Sequence, residues 1–162
     1  MQQVKWAFIF FVVIVVQSSF VQLIAIHDIR PDLLIIILIF YSFQCGQTKA
    51  TVMGFFVGLV QDILTGGVLG ASERALGLSS FTKSVSGFLS GFSSKKDRPR
   101  TAKSFIITLL VVTLVHNVLF YSLYTIGEGM SSFDLAVYRI IPSSLYTILI
   151  GILLYSMKTT YK

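Results

Sequence analysis

The clearest shortage in this sequence is charge, because only 12% of its 162 residues are Asp, Glu, Lys or Arg. Soluble domains carry about 25% charged residues, about twice the share found here. The apolar fraction is 54% and the mean hydropathy is +0.81. This composition argues against a soluble enzyme. It also argues against a disordered chain, because disordered chains are poor in apolar residues.

Cysteine and catalytic motifs are also scarce. Cys45 is the single cysteine, so a disulfide framework or a multi-cysteine metal site is excluded. The sequence has no H-E-x-x-H, no G-x-S-x-G and no glycine loop that ends in Lys-Ser or Lys-Thr. A serine–histidine pair of Ser72 and His116 is disfavoured because Glu73 follows the serine. We therefore expect no enzymatic activity, no cofactor and no metal.

Long apolar runs fill the chain instead. A membrane span needs about 20 residues, so six spans would use about 120 and leave only loops and tails. The first run could be a signal peptide, but it continues without a clear cleavage site. We predict an all-α integral membrane protein with one domain over residues 1–162. The expected spans are 6–26, 31–46, 50–65, 72–92, 104–126 and 135–157.

Small and acidic residues mark the second and third runs. Asp32 follows Pro31 at the start of the second run, where an acidic residue complements a helix N-terminus. Gly54, Gly58 and Asp62 are spaced by four residues, so they share one helical face. Glycines at this spacing allow close helix packing. A carboxylate within a span requires an ion pair, a partner's backbone or a ligand.

The junction of the third and fourth runs is rich in glycine, including Gly66 and Gly70. Because glycine disfavours helix, we expect a turn or a broken helix there. The fourth run is the most polar. It contains Lys83, which is expected to reach the membrane rim or to pair inside the bundle. It also holds Gly87 and Gly91, a second pair of small residues at a spacing of four.

A basic loop gives the orientation. Positively charged residues favour the cytoplasmic side of a membrane, and on this basis both termini are predicted to be cytoplasmic. The loop would contact anionic lipid, whereas nucleic acid is not an expected partner. Its basic residues are Lys95, Lys96, Arg98, Arg100 and Lys103.

Several polar residues are expected at the outer rim. Asp32, Asp62, Arg74 and Arg139 fall at one level of the predicted topology, and Arg139 shares a helix face with Tyr146. These groups could form ion pairs between helices, a docking surface for a partner helix, or a pocket for a small polar ligand. His116 is expected to bond to a neighbouring helix or, as an alternative, to relay protons.

Together these residues resemble the bacterial rod-shape-determining MreD family over about residues 29–157. The resemblance rests on Pro31-Asp32-Leu33, on the basic loop and on Arg139-Ile140-Ile141-Pro142-Ser143-Ser144-Leu145-Tyr146. Its most specific part is the string G-x-x-x-D-x-L-x-G-x-x-L-G that begins at Gly58 and ends at Gly70. The fourth run is more polar than this family suggests.

The resemblance implies a fold similar to the six-helix S-components of energy-coupling-factor transporters. It also implies a non-catalytic inner-membrane subunit of the Rod complex, which maintains rod cell shape and directs peptidoglycan synthesis in this elongasome. Expected partners are an MreC-like protein, RodA, a penicillin-binding transpeptidase, MreB and membrane lipids. The alternative is the substrate-binding S-component of a vitamin transporter.

On this interpretation the bundle clamps a membrane helix of the MreC-like partner. The glycine pairs Gly54/Gly58 and Gly87/Gly91 would permit the close approach of that helix. The polar rim around Asp62 and Arg139 would fix its register.

Overall fold

The computed structural model describes residues 2–19, 30–68, 77–92, 101–124 and 132–160. Every element within these residues is a helix, which confirms the all-α class. The elements are α1 (Gln2–Ser19), α2 (Leu33–Cys45), α3 (Gln47–Val68), α4 (Leu78–Phe92), α5 (Ala102–Tyr124), α6 (Ser132–Leu135), a π-helical segment (Ala136–Ile140) and α7 (Ile141–Thr160). Helix α6, the π-helical segment and α7 form one continuous helix over 132–160.

Within the described residues, two stretches are long and apolar enough to cross a membrane, Ala102–Leu123 and Ala136–Met157. Val4–Ser19 and Leu33–Cys45 are shorter apolar helices. Six membrane spans therefore remain a prediction.

Helix α2 lies at the centre of the bundle. It contacts α1, α3, α4, α5 and α7, which explains why its sequence is apolar on all sides. At 13 residues it is about 20 Å long. Its ends are sharply defined, because the Asp32 side chain caps the start and Gly46 ends the helix at φ 88°. A side chain at this positive φ would be strained, so glycine permits the immediate start of α3.

Two apolar clusters pack on opposite sides of α2. On one side Trp6 and Phe10 of α1 pack edge-on against Tyr41, with ring centroids at 5.2 and 5.6 Å. On the other side Phe105 of α5 stacks between Phe40 of α2 and Tyr155 of α7, at 4.8 and 4.5 Å. These aromatic contacts hold the helices around α2 in a fixed arrangement.

The exposed and buried faces of α4 have the opposite polarity to those of a helix in a water-soluble protein. Its exposed side chains include Phe81, Phe88 and Phe92. Its buried positions are small or polar, namely Ser79, Ser80, Thr82, Lys83, Ser86, Gly87, Ser90 and Gly91. Polar groups turned inward and phenylalanines turned outward are expected for a helix that borders lipid.

Two predicted boundaries differ from the structure. Helix α3 extends through Gly66 to Val68, so the expected break does not begin at Thr65. The preceding turns of α3 pack against α4, and helix formation is cooperative, so it extends past the packed turns. The rest of the predicted glycine-rich turn, 69–76, lies outside the described residues, and α4 begins at Leu78.

Candidate functional site

A buried ion pair joins α4 to the start of α2. Nζ of Lys83 donates a hydrogen bond to Oδ2 of Asp32 at 2.6 Å, and the two side chains are 1% and 16% exposed. Breaking a buried pair by removing one partner costs about 3–5 kcal/mol, because the remaining charge has no compensation. The pair therefore holds α4 and α2 in one register.

The surrounding hydrogen bonds hold the Asp32 carboxylate in place. Oδ1 accepts hydrogen bonds from the backbone N–H groups of Leu34 at 3.0 Å and Ile35 at 3.3 Å, which is an N-cap of α2. The backbone N–H of Asp32 donates to Oγ1 of Thr147 on α7 at 3.1 Å. One carboxylate oxygen thus caps the helix and leaves the other oxygen for Lys83.

Helix α5 adds a histidine to this pair. Nε2 of His116 lies 3.6 Å from Oδ2 of Asp32, and its Nδ1 shares a 3.1 Å hydrogen bond with Oγ of Ser86 on α4. The hydroxyl of Ser86 is also 2.7 Å from the carbonyl oxygen of Thr82. These contacts agree with the expectation that His116 bonds to a neighbouring helix. We call Asp32, Lys83, Ser86, His116 and Thr147 the polar network.

Two further polar side chains, Gln17 and Asn117, make three hydrogen bonds beside the polar network. Gln17 of α1 donates from Nε2 to the carbonyl oxygen of Pro31, and its Oε1 accepts from the N–H of Leu33, both at 3.0 Å. Asn117 of α5 donates from Nδ2 to Oγ of Ser144 on α7 at 2.8 Å. Polar side chains therefore connect α1, α2, α4, α5 and α7 near one end of the bundle.

Asp62, a second carboxylate inside the bundle, caps α4 from the side of α3. Its oxygens accept hydrogen bonds from the backbone N–H groups of Gly77, Ser79 and Ser80, at 3.0, 3.1 and 3.2 Å. The first N–H groups of a helix have no partner within it, so a carboxylate there satisfies them and complements the helix dipole. Of the roles left open for this residue, the structure gives it a backbone as partner, and that backbone belongs to the same chain.

Each glycine pair of α3 and α4 lies against residues of the other helix. A Cβ on Gly54 would overlap the carbonyl of Lys83, and a Cβ on Gly58 would meet Cα of Ser80 at 2.5 Å. A Cβ on Gly87 would stand 2.7 Å from the carbonyl carbon of Ala50, and one on Gly91 would meet Cγ of Gln47 at 2.5 Å. We call this antiparallel contact of α3 and α4 the glycine seam.

The glycine seam corrects one expectation. Gly54, Gly58, Gly87 and Gly91 were expected to admit a partner's helix, but that space is filled by the neighbouring helix of the same chain. The reason is physical, since both stripes belong to consecutive helices, and a short connection brings consecutive antiparallel helices together first.

The structure gives one ion pair at the expected rim cluster, which joins Asp32 to Lys83. The expected positions of Arg74 and Arg139 near Asp32 stay a prediction. Arg139 lies half-buried in the π-helical segment and Tyr146 lies half-buried on α7. Lys103 is exposed in the first turn of α5. The predictions for Gly70, Arg74, Lys95, Lys96, Arg98 and Arg100 fall outside the described residues.

Sequence reasoning missed Gln17, Ser86 and Thr147 as members of this site. A usable signal was present on α4, where Ser79, Ser86 and Ser90 recur with Thr82 and Lys83 at helical spacing. Polar residues on one face of an otherwise lipid-exposed helix indicate a buried contact. No three His, Cys, Asp or Glu side chains within the described residues come together as a metal-binding group.

A helical bundle with many apolar side chains on its outer surface and with buried polar contacts between its helices is typical of a membrane protein. The chain matches the family model described as "rod shape-determining protein MreD" over residues 1–161. The chain belongs to the MreD family, which acts in rod shape determination and is not known for an enzymatic activity. No curated protein and no solved structure matched it.

Proposed function

We propose that this chain is a non-catalytic inner-membrane subunit of the bacterial Rod complex, which binds an MreC-like partner and supports peptidoglycan synthesis. Membership of the MreD family over residues 1–161 supports this proposal. RodA, a penicillin-binding transpeptidase and MreB would act in the same complex. Six spans, with the basic residues and both termini in the cytoplasm, complete the proposed arrangement.

The observation that carries the proposal is that the polar network is satisfied within the chain. Lys83 and His116 both approach Asp32, and Asp32 also receives backbone hydrogen bonds. A binding subunit for a small polar solute would direct such groups into a solvated pocket. Side chains that bond to one another instead favour a structural role, in which the bundle presents a rigid outer surface to partner proteins.

Depletion in a rod-shaped bacterium tests the proposal. Cells that lose the chain should widen and round, and the wild-type sequence supplied in trans should restore a constant width. The matched control is Phe56→Leu, which changes only an exposed apolar side chain of α3 and should restore width fully. Unchanged cell width after complete depletion would contradict a Rod function.

The S-component alternative predicts a different result from the same strain. Depletion would then lower the uptake of one vitamin, and an excess of that vitamin in the medium would reverse any change in growth or cell width. Rounding that no vitamin supplement corrects would support the Rod assignment.

A further inference from the structure

The positions of the protons in the polar network follow from the groups around Ser86. Its Oγ lies 2.7 Å from the carbonyl oxygen of Thr82 and 3.1 Å from Nδ1 of His116. A carbonyl oxygen only accepts hydrogen bonds, and a serine hydroxyl has a single proton to donate. The hydroxyl proton therefore points to Thr82, and Oγ accepts a hydrogen bond from Nδ1. The imidazole ring thus carries a proton on Nδ1.

The other ring nitrogen of His116, Nε2, then has a lone pair when the ring is uncharged. Nε2 lies 3.6 Å from Oδ2 of Asp32, whereas a charged N–H group closes to about 2.7–2.9 Å from a carboxylate oxygen. Nζ of Lys83 is much closer to the same oxygen, at 2.6 Å. This geometry matches an uncharged imidazole beside the ion pair of Asp32 and Lys83.

The charges around the imidazole ring balance while the ring is uncharged. Helix α2 contributes the negative charge of Asp32, and α4 contributes the positive charge of Lys83. The side chains of α7 at this level, Ser144 and Thr147, are hydroxyls. The π-helical segment also contacts α5 and carries Arg139, a further cation. A proton on Nε2 would therefore place a second cation beside one carboxylate, which is unfavourable in a buried site.

Solvent reaches the polar network at Asp32. Its side chain is 16% exposed, whereas the side chains of Lys83 and His116 are 1% and 4% exposed. A proton from water can thus arrive at the carboxylate, next to Nε2. Histidine is also the side chain that ordinarily changes its charge between about pH 5 and pH 8.

We propose that His116 is a proton-binding site whose occupation weakens the junction of α2, α4 and α5. The proton comes from the solvent and binds to the lone pair of Nε2. The resulting imidazolium competes with Lys83 for Oδ2 of Asp32, so the ion pair that joins α4 to α2 is weakened. Because the folded bundle binds this proton less readily than the unfolded chain, the free energy of unfolding falls as the pH falls below about 6.5.

The side of the membrane that supplies the proton follows from the proposed orientation. With both termini in the cytoplasm, the start of α2 lies toward the outer face. The packing of the bundle would then respond to the proton concentration outside the cytoplasm. This consequence rests on the proposed function, whereas the proton-binding site is tested on the purified chain alone.

Nuclear magnetic resonance of the imidazole nitrogens tests the proton positions directly. The sequence has two histidines, so His27→Gln leaves His116 as the single one. The chain is prepared with isotope-labelled histidine in lipid nanodiscs. At about pH 7.5 we expect an uncharged ring with its proton on Nδ1. A proton on Nε2, alone or together with one on Nδ1, would overturn the proposal.

The pH dependence of thermal unfolding gives a second measurement. Between about pH 7.5 and pH 5.5 the Tm of the wild-type chain should fall by at least about 4 °C more than that of His116→Gln, whose side chain gains no proton. His27→Gln is the matched control and should follow the wild type. Equal falls in the wild type and His116→Gln would contradict the proposal. If His116→Gln does not fold, the resonance measurement decides.

Lys83→Met should reverse the sign of the effect. Without the competing cation, a proton on His116 supplies the positive charge that Asp32 has lost. Relative to the double variant that also carries His116→Gln, the Tm of Lys83→Met should rise by about 2 °C or more as the pH falls from about 7.5 to 5.5. A histidine with a purely structural role would give parallel curves for the two variants, and that result would overturn the proposal.

Discussion

The α3–α4 pair and the α5–α7 pair are both antiparallel helix contacts, but different chemistry holds them together. Across the glycine seam, backbone meets backbone, and Asp62 caps the partner helix. Between α5 and α7 large side chains interdigitate, with Phe105 stacked on Tyr155 and Leu109 against Gly151. The centre of the α3–α4 contact consists of backbone atoms, which cannot move independently of their helices. The α5–α7 contact consists of side chains, which can change rotamer.

The difference predicts where substitutions are tolerated. Side chains can change rotamer around an added methyl group, but a backbone carbonyl moves only with its whole helix. We therefore expect an added side chain to lower the free energy of unfolding much more in the glycine seam than in the α5–α7 contact. Four substitutions, in order of expected effect, test this comparison.

The largest effect is expected from Gly58→Leu. Its side chain would enter the backbone of Ser79 and Ser80 and separate α3 from α4, at a cost of about 3 kcal/mol or more. The folded fraction in mild detergent, measured by size-exclusion chromatography and thermal unfolding, should fall sharply. Gly151→Ala is the control on the other contact, since its Cβ meets only the side chain of Leu109. Equal loss in the two variants would contradict the comparison.

Lys83→Met should have the next largest effect. It leaves the Asp32 carboxylate without its cation, which costs about 3 kcal/mol. Adding Asp32→Asn to this variant should recover part of the loss, because the asparagine still caps α2 without a charge. Thermal unfolding of the two single variants and the double variant measures the coupling. Additive losses would show that the two side chains do not interact.

Asp62→Ala should cost about 1–2 kcal/mol, because three N–H groups at the start of α4 lose their acceptor. Asp62→Asn keeps one acceptor oxygen and should lose about half as much. Hydrogen exchange at the first turn of α4 is the direct measurement, with the middle of α5 as an internal reference. If the N–H groups of the first turn of α4 still exchange slowly in Asp62→Ala, Asp62 is not the cap of this helix.

Ser144→Ala should have the smallest effect. It removes the hydroxyl that accepts a hydrogen bond from Asn117 between α5 and α7. Hydrogen bonds between membrane helices contribute about 0.6 kcal/mol on average, so the shift in unfolding should be small. A loss as large as that of Lys83→Met would show that the α5–α7 contact depends on polar groups after all.

Local patterns in the sequence were enough to predict the class of fold, the apolar second helix and an acidic residue at the start of that helix. The spacing of Gly54 and Gly58 predicted close packing as well. It did not identify which helix packs there, because a stripe of small residues can pack against a helix of the same chain or against a helix of a partner protein. Only the three-dimensional arrangement shows that α4 fills it.

The polar network was predicted less completely. Asp32 was predicted to complement the start of the second helix, and Lys83 was predicted to reach the rim or to pair inside the bundle. The two residues lie 51 positions apart, and helical spacing relates residues only within one helix. The contribution of Thr147 depends on how α7 crosses the start of α2. Such contacts between distant segments follow from packing, which residue periodicity does not encode.

The central proposal is that this bundle of the MreD family binds an MreC-like protein. Affinity purification of the tagged chain from membranes in mild detergent, with mass spectrometry of the bound proteins, tests it most directly. We predict recovery of an MreC-like protein together with a RodA-like protein. Recovery of a pair of ATPases with a membrane coupling subunit, and no MreC-like protein, would contradict the claim and indicate a vitamin transporter.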